Sequence, residues 1–307
     1  MSNALSYASI FQPELDKQII QEATSGWMEL NNKMVKYNGG NEVKIPSIAM
    51  DGLADYDREN GYTPGSVTLK WETQTMTQDR DRTFQLDAMD VDETNFVASA
   101  GNVMGEFQRT WVVPEVDAYR YSKIAKEAIA ASKASGGYTP AESSILSKLL
   151  YDIAAVQDIV GEGTPLVVTL PITIAAILNS SEKIQKRIDV VDFARGEIST
   201  KVRAIDGIPL IPVSSKLLKT SFDFNDGKTT GQEKGGFTAA ADAKTVNWII
   251  TARNAPIAVS KTDTVRVFDP MTNQKANAWK IDYRKYHDLW IPKNRLDGIF
   301  VNVKEAL

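Results

Sequence analysis

The amino-acid sequence predicts an α+β fold, and three patterns carry that expectation. A helical stripe runs through residues 91–137, apolar and polar residues alternate over 41–90, and several short strand-like runs fill the last sixty residues.

Taken in order, residues 13–37 suggest a short amphipathic helix with Leu15, Ile19, Ile20 and Trp27 on one side, closed by Gly39-Gly40. Between 41 and 90 the strand candidates are Val43/Ile45, then Val67/Leu69/Trp71, then Phe84/Leu86. The turn-rich residues 50–66, with Gly52, Gly61, Pro64 and Gly65, separate the first two, so the segment reads as a long hairpin with a wide, mobile tip. A two-stranded ribbon is marginal in water, so this one is expected to lie on another surface.

In the long helix Phe96, Val103, Phe107 and Trp111 form the stripe, with Val97, Ala100 and Met104 beside it. Asp90 as N-cap with Glu93 three residues on gives a capping-box spacing, and Asp87 and Asp92 add charge that suits the helix N-terminus. Gly136-Gly137 is expected to end it, for a rod of up to about 45 residues. Pro114 sits inside. It lacks an N–H and clashes with the carbonyl four residues back, so a bend or break is expected within one turn of it.

Residues 139–163 predict a second helix, with Pro140 early and Ile145, Leu146, Leu149, Leu150, Ile153 and Ala154 as its stripe. A buried strand follows over 166–170, and Pro171 opens a helix to about Leu178. Over 201–217 two apolar runs flank Asp206-Gly207, a hairpin signal, and Pro209 and Pro212 push the second strand towards a sheet edge. Residues 222–245, with four glycines, read as a loose surface loop. Two or three strands are expected over 246–267, and Trp279, Ile281 and Tyr283 alternate towards a turn at Pro292-Lys293-Asn294 and a last strand over 298–303.

Composition narrows the function. The chain has 307 residues and can bury a substantial core. No apolar run is long enough to span a membrane, and the polar start does not resemble a signal peptide. With no cysteine, thiol nucleophiles, disulfides and thiolate metal sites are excluded. The 35 basic residues are spread evenly against 39 acidic ones, for a net charge of −4, which argues against a protein that reads nucleic-acid sequence.

Catalytic candidates are thin. His287 is the only histidine, in a strand-like context without a Gly-x-Ser-x-Gly elbow, and it cannot supply a two-histidine zinc site. The acids Asp87, Asp90, Asp92 and Glu93 could ligate Mg²⁺ or Ca²⁺, although helix capping already accounts for them. Gly227-Lys228-Thr229 imitates the end of a P-loop, but Phe222 stands where its first glycine belongs. No catalytic, cofactor or metal residue is therefore assigned, and the chain is not expected to be an enzyme.

Two words carry a resemblance: RDRTFQLDAMDVDET (80–94) and VVPEVDAYRYSKIA (112–125). They resemble the major capsid proteins of tailed bacteriophages, the HK97-like fold family, in the group without a long cleaved propeptide. The resemblance implies an HK97-like capsid fold with an N-terminal arm (1–40), an extended β-hairpin loop (41–90) and a long spine helix of a peripheral domain (91–137). It further implies an axial domain (138–256), whose IPLIPV run would lie at the capsomer centre, and closing strands shared by both domains (257–307). The implied function is self-assembly as pentamers and hexamers into the icosahedral head around phage double-stranded DNA.

The homo-oligomer would be joined by a portal protein and, since the sequence shows no N-terminal extension that could act as an internal scaffold, by a separate scaffolding protein. DNA would lie near it without specific contact, no membrane would be involved, and assembly would take place in the host cytoplasm before the chain resides in the virion. Candidates for contact between subunits are Trp27, Trp71, Arg80, Arg82 and Phe84. The arginines could pair with carboxylates of a neighbour, where a fixed guanidinium fork gives geometric selectivity. The alternatives are an encapsulin-like compartment shell on the same fold and, from other classes, an α/β hydrolase or a sugar-binding β-domain.

Overall fold

The computed structural model describes residues 23–37, 41–59, 61–88, 96–181, 188–195 and 198–307. After a 3₁₀ segment Gly26–Met34 come the strands β1 (Lys36–Tyr37), β2 (Glu42–Met50), β3 (Val67–Thr75) and β4 (Gln78–Asp87). β2 and β3 pair antiparallel along nine residues, from Glu42 opposite Thr75 to Met50 opposite Val67. β4 does not continue this ribbon. It turns away at Met76-Thr77 and pairs with a later strand, so the third run of the expected hairpin belongs to a different sheet.

The long helix comprises α1 (Phe96–Phe107), a π-helical turn over Gln108–Val112 and α2 (Val113–Ala130). The capping residues Asp90, Asp92 and Glu93 fall outside the described residues. The π turn ends two residues before Pro114, the second residue of α2, and the Val113 N–H already reaches back five residues to Gln108 O, so the ladder is shifted where the chain meets a residue that cannot donate. The interruption thus falls within one turn of the proline, as expected. An extra residue per turn also shifts the side-chain phase. Met104, Val112 and Val116 stay buried against the sheet, whereas Trp111, placed in the stripe by sequence, is 46% exposed.

The helix ends earlier than expected, at Ala130. Ser132 takes the left-handed conformation (φ 56°), the Lys133 N–H donates to Ala128 O at 2.8 Å and the Ser132 N–H to Ile129 O at 3.0 Å, a Schellman closure built without glycine. Gly136-Gly137 serves another contact. A Cβ on Gly136 would lie 2.6 Å from Glu305 O, so only glycine lets this backbone run beside the C-terminal segment. There β5 (Ala134–Ser135) joins a sheet.

The next elements are α3 (Ile145–Val160), β6 (Leu166–Pro171), α4 (Ile172–Ser180), β7 (Ile188–Arg195), β8 (Ile198–Ile205) and β9 (Ile208–Val213). α3 starts at Ser144 rather than Pro140. Asp206 and Gly207, at φ 50° and 80°, make the two-residue turn between β8 and β9. The short hairpin β10 (Phe222–Phe224) and β11 (Phe237–Ala239) occupies the segment read as a loose loop, with Phe237 meeting Phe222 edge to face and Phe224 at a tilt. The chain finishes with β12 (Val246–Ala252), β13 (Ile257–Phe268), β14 (Ala278–Trp290), a 3₁₀ turn Lys293–Gly298 and β15 (Ile299–Val303).

Among the described residues one seven-stranded sheet has the order β5-β15-β12-β6-β9-β8-β7, and a three-stranded sheet has the order β13-β14-β4. β9 is interior, which corrects the edge placement expected from its prolines. It pairs with β8 only at Ile208-Pro209 and with β6 only over 210–213, so each stretch keeps one side unpaired and tolerates a residue without an N–H. The larger core packs α2, α3 and α4 on the seven-stranded sheet through residues such as Ile124, Leu149, Leu178, Ile249 and Val301. A smaller one lies between the long helix and the three-stranded sheet, and a third, with Val43, Ile45, Ile257, Val259 and Trp290, fixes the root of the β2–β3 hairpin.

Candidate assembly interface

The β2–β3 hairpin has two unlike faces. Side chains opposite one another in an antiparallel pair share a face, so Val43 and Ile45 lie with Gln74 and Glu72, and their root end is covered by the body of the chain. The other face carries Met50, Val67, Leu69 and Trp71, and these stay exposed, Val67 at 71% and Trp71 at 40%. Lys36 lies over the Trp71 ring at 4.7 Å, covering only part of it. Beyond the strands, the tip at 51–66 adds exposed Leu53, Tyr56 and Tyr62. Asp51 accepts from Ser66 N–H and Oγ at 2.7 and 2.8 Å, which closes the tip's neck, and Tyr56 meets Tyr62 edge to face.

Buried carboxylates on the helix and its neighbours hold the emerging segments. Asp117, on α2, accepts from both backbone N–H and hydroxyl of Thr24 and Ser25, between 2.5 and 3.1 Å. Asp288 accepts from Thr77 N–H and Oγ1, from Tyr119 OH at 2.5 Å and from Leu289 N–H. The hairpin's exit is thereby tied to both α2 and β14. Burial and then Asp288 raise the Tyr119 hydroxyl well above its usual range, so it donates as a neutral group.

The face of the three-stranded sheet under α2 changes from apolar to charged along its length. Arg80 donates to Glu115 at 2.6 Å, to Asn225 O at 2.8 Å and to Gly236 O at 3.3 Å, joining β4, α2 and the β10–β11 hairpin. Lys285 pairs with Asp263, and Arg120 with Glu29. Burial raises the Glu29 carboxyl, but Arg120 and Lys285 outweigh it and keep the group below its usual range. His287 is buried among these groups, its Nδ1 without a partner. Burial first, then Lys285, Arg120 and Arg80, depress its pKa well below the ordinary value and keep the ring neutral. Tyr119 packs against it edge to face at 5.5 Å.

Solved structures that share this arrangement decide the fold. The chain matches the asymmetric unit of the bacteriophage PhiM1 mature capsid at TM-score 0.51 and 11% identity, over 87% of this chain and 82% of that one. It matches the capsid structure of the cyanophage P-SCSP1u at TM-score 0.53 and 11% identity, over 87% and 84%.

The fold is the HK97-like capsid fold.

A virus-like particle from Pyrococcus furiosus shares that capsid fold at TM-score 0.51 and 10% identity, over 98% of this chain and all of that one. No family model and no curated protein matches the sequence.

On the capsid fold, the residues singled out by sequence separate. Trp27 is 1% exposed and packs inside its own chain against Phe193. Arg80 pairs with Glu115 of its own chain, and Phe84 packs on Phe107 with ring centres 5.0 Å apart. Arg82 donates to a carbonyl, Glu233 O, and Trp71 stays open. Asp226 caps its own turn through Thr229 Oγ1 and the N–H groups of Thr229 and Lys228, which lowers its pKa to about 2, so the P-loop imitation is an Asx-type turn. Sequence reasoning passed over Asp117, Tyr119 and Asp288. The two words that carried the resemblance contain the first two, and also Arg80 and Glu115, whose ion pair joins one word to the other.

Proposed function

We propose that the chain is a major capsid protein whose function is assembly: pentamers and hexamers of one sequence tile an icosahedral head around double-stranded phage DNA. The observation that carries this reading is the bare apolar face of the β2–β3 hairpin on a capsid fold. Val67, Leu69 and Trp71 project from a ribbon that its own body covers only at the root, and burying each aliphatic side chain on a neighbour would contribute about 1.5–3 kcal/mol. Repeated around a closed shell, modest contacts of this kind suffice.

The three-stranded sheet with the long helix then serves as the peripheral domain, the seven-stranded sheet as the axial domain at the capsomer centre, and the described residues before β2 as the end of an N-terminal arm. Scaffolding and portal proteins are the partners such a head requires, and a subunit of net charge −4 suits a wall past which DNA must move. No helix among the described residues is long and apolar enough to cross a membrane. The role is structural and needs no cofactor.

Leu69→Glu is the test. It places a charge on the exposed face without touching a core, so the melting temperature should stay within about 2 °C of the parent while sedimentation shows assembly lost. A variant that assembles as the parent does would remove the hairpin from the account. The Pyrococcus furiosus likeness favours a second reading, a compartment shell that holds protein. Absorbance of purified particles separates the two: nucleic acid inside supports the phage head, and protein cargo alone supports the compartment.

A further inference from the structure

A cleft of about 650 Å³ opens between β4, the π turn of the long helix and the β10–β11 hairpin, large enough for a small molecule. Glycine clears its hairpin wall. A Cβ on Gly236 would come within 2.7 Å of the Trp111 ring, and Cβ atoms on Gly227 and Gly235 would lie 3.4 and 3.6 Å from the Arg82 guanidinium. All three hold a positive φ, of 68° to 76°, so the backbone that admits these two side chains is one that glycine adopts freely.

The lining combines rings with uncompensated cations. Trp111 keeps nearly half its surface exposed, and Phe107 meets Tyr283 edge to face at 5.8 Å. Arg82, Lys228 and Lys234 line the same cleft, and among the described residues no carboxylate forms an ion pair with any of them. The acids nearby are engaged: Glu115 with Arg80, Asp79 with Arg284, and Asp226 with its own turn. Asp81 is the exception, and it lies in the field of Arg284. The lining also holds a buried polar group, since His287 is 2% exposed and its Nδ1 has no partner. A neutral imidazole can accept or donate there.

Each feature narrows the ligand. Three unpaired cations in a chain of net charge −4 call for an anion, and a phosphate accepts from a guanidinium and from ammonium groups at once. An open indole face calls for a flat body that stacks on it. Buried Lys285 and His287 in the lining disfavour a long alkyl chain, which would leave them facing hydrocarbon. We propose that the cleft binds a nucleoside monophosphate, with its base on Trp111 and its phosphate among Arg82, Lys228 and Lys234. This goes beyond the shell reading and does not depend on it, because a single chain carries every group. Two sources share the chemistry, a free nucleotide and an unpaired nucleotide of nucleic acid; a base inside a duplex is already stacked and cannot lie on the ring.

Calorimetric titration of the purified full chain with deoxyadenosine monophosphate tests it. The nucleotide should bind at least about tenfold more tightly than deoxyadenosine or inorganic phosphate. Lys228→Gln with Lys234→Gln should weaken the nucleotide about tenfold and leave the nucleoside unchanged, whereas Trp111→Leu should weaken both about tenfold. Both lysines are exposed, so the melting temperature of their double variant should match the parent's, and that variant decides the matter if Trp111→Leu fails to fold. A single-stranded deoxyadenosine oligonucleotide that displaces the monophosphate identifies nucleic acid as the source, and one that does not identifies the free nucleotide. No saturable binding at millimolar concentration, or equal affinity in the parent and the lysine variant, would overturn the proposal and leave the shell reading standing.

Discussion

His287 shows how one buried side chain sets a pH limit. Its ring sits among Lys285, Arg120 and Arg80, with Glu29, Asp263, Glu115 and Asp288 compensating those cations nearby, and it is held neutral far below its ordinary pKa of 6.5. Below that value the unfolded chain takes up a proton that the folded chain refuses. The stability is therefore whole above pH 6.5 and falls as the pH drops towards the folded pKa, by up to about 1.4 kcal/mol per pH unit. Urea titrations between pH 7 and 5 should show this slope in the parent and a nearly flat profile in His287→Gln; equal slopes would refute it. The sequence showed that this histidine was alone and in a strand, and so a poor catalyst. Its neutrality was hidden, because the three cations around it come from β4, α2 and β14 and meet only in the folded state.

Among the elements, the helices and strands with strong periodicity were legible, and their partners were less so. β6 and α4 could be read almost to the residue because a β-branched run abuts a proline. The β8–β9 turn could be read because Asp-Gly suits the left-handed backbone it needs. β4 was misassigned because alternation shows that a strand has two faces but not which strand it pairs with. The long helix ended early because a serine took the left-handed position usually filled by glycine. What ties the elements was also invisible, since hydrogen bonds such as those of Asp117 to Thr24 and Ser25 span more than ninety positions. Asp117→Ala would leave those buried donors unmet and should cost about 3–5 kcal/mol in denaturant unfolding, with earlier cleavage before residue 26 in limited proteolysis. A loss under about 1 kcal/mol would show that the segment is held by something else.

For the whole molecule, the resemblance in two short words and the likeness to solved capsids converge, because those words form the joint where sheet, long helix and β10–β11 hairpin meet. The candidate site was half legible: the ribbon's need for a foreign surface followed from its length and alternation, whereas the joint around Arg80 is assembled from three separate stretches, one of which read as a loose loop. The central claim is that this chain builds shells. Electron microscopy of the purified protein across a range of concentrations and ionic strengths, with particle mass from sedimentation, tests it most directly. The account predicts ring-shaped capsomers or closed particles tens of nanometres across, and a monodisperse monomer under every condition would contradict it.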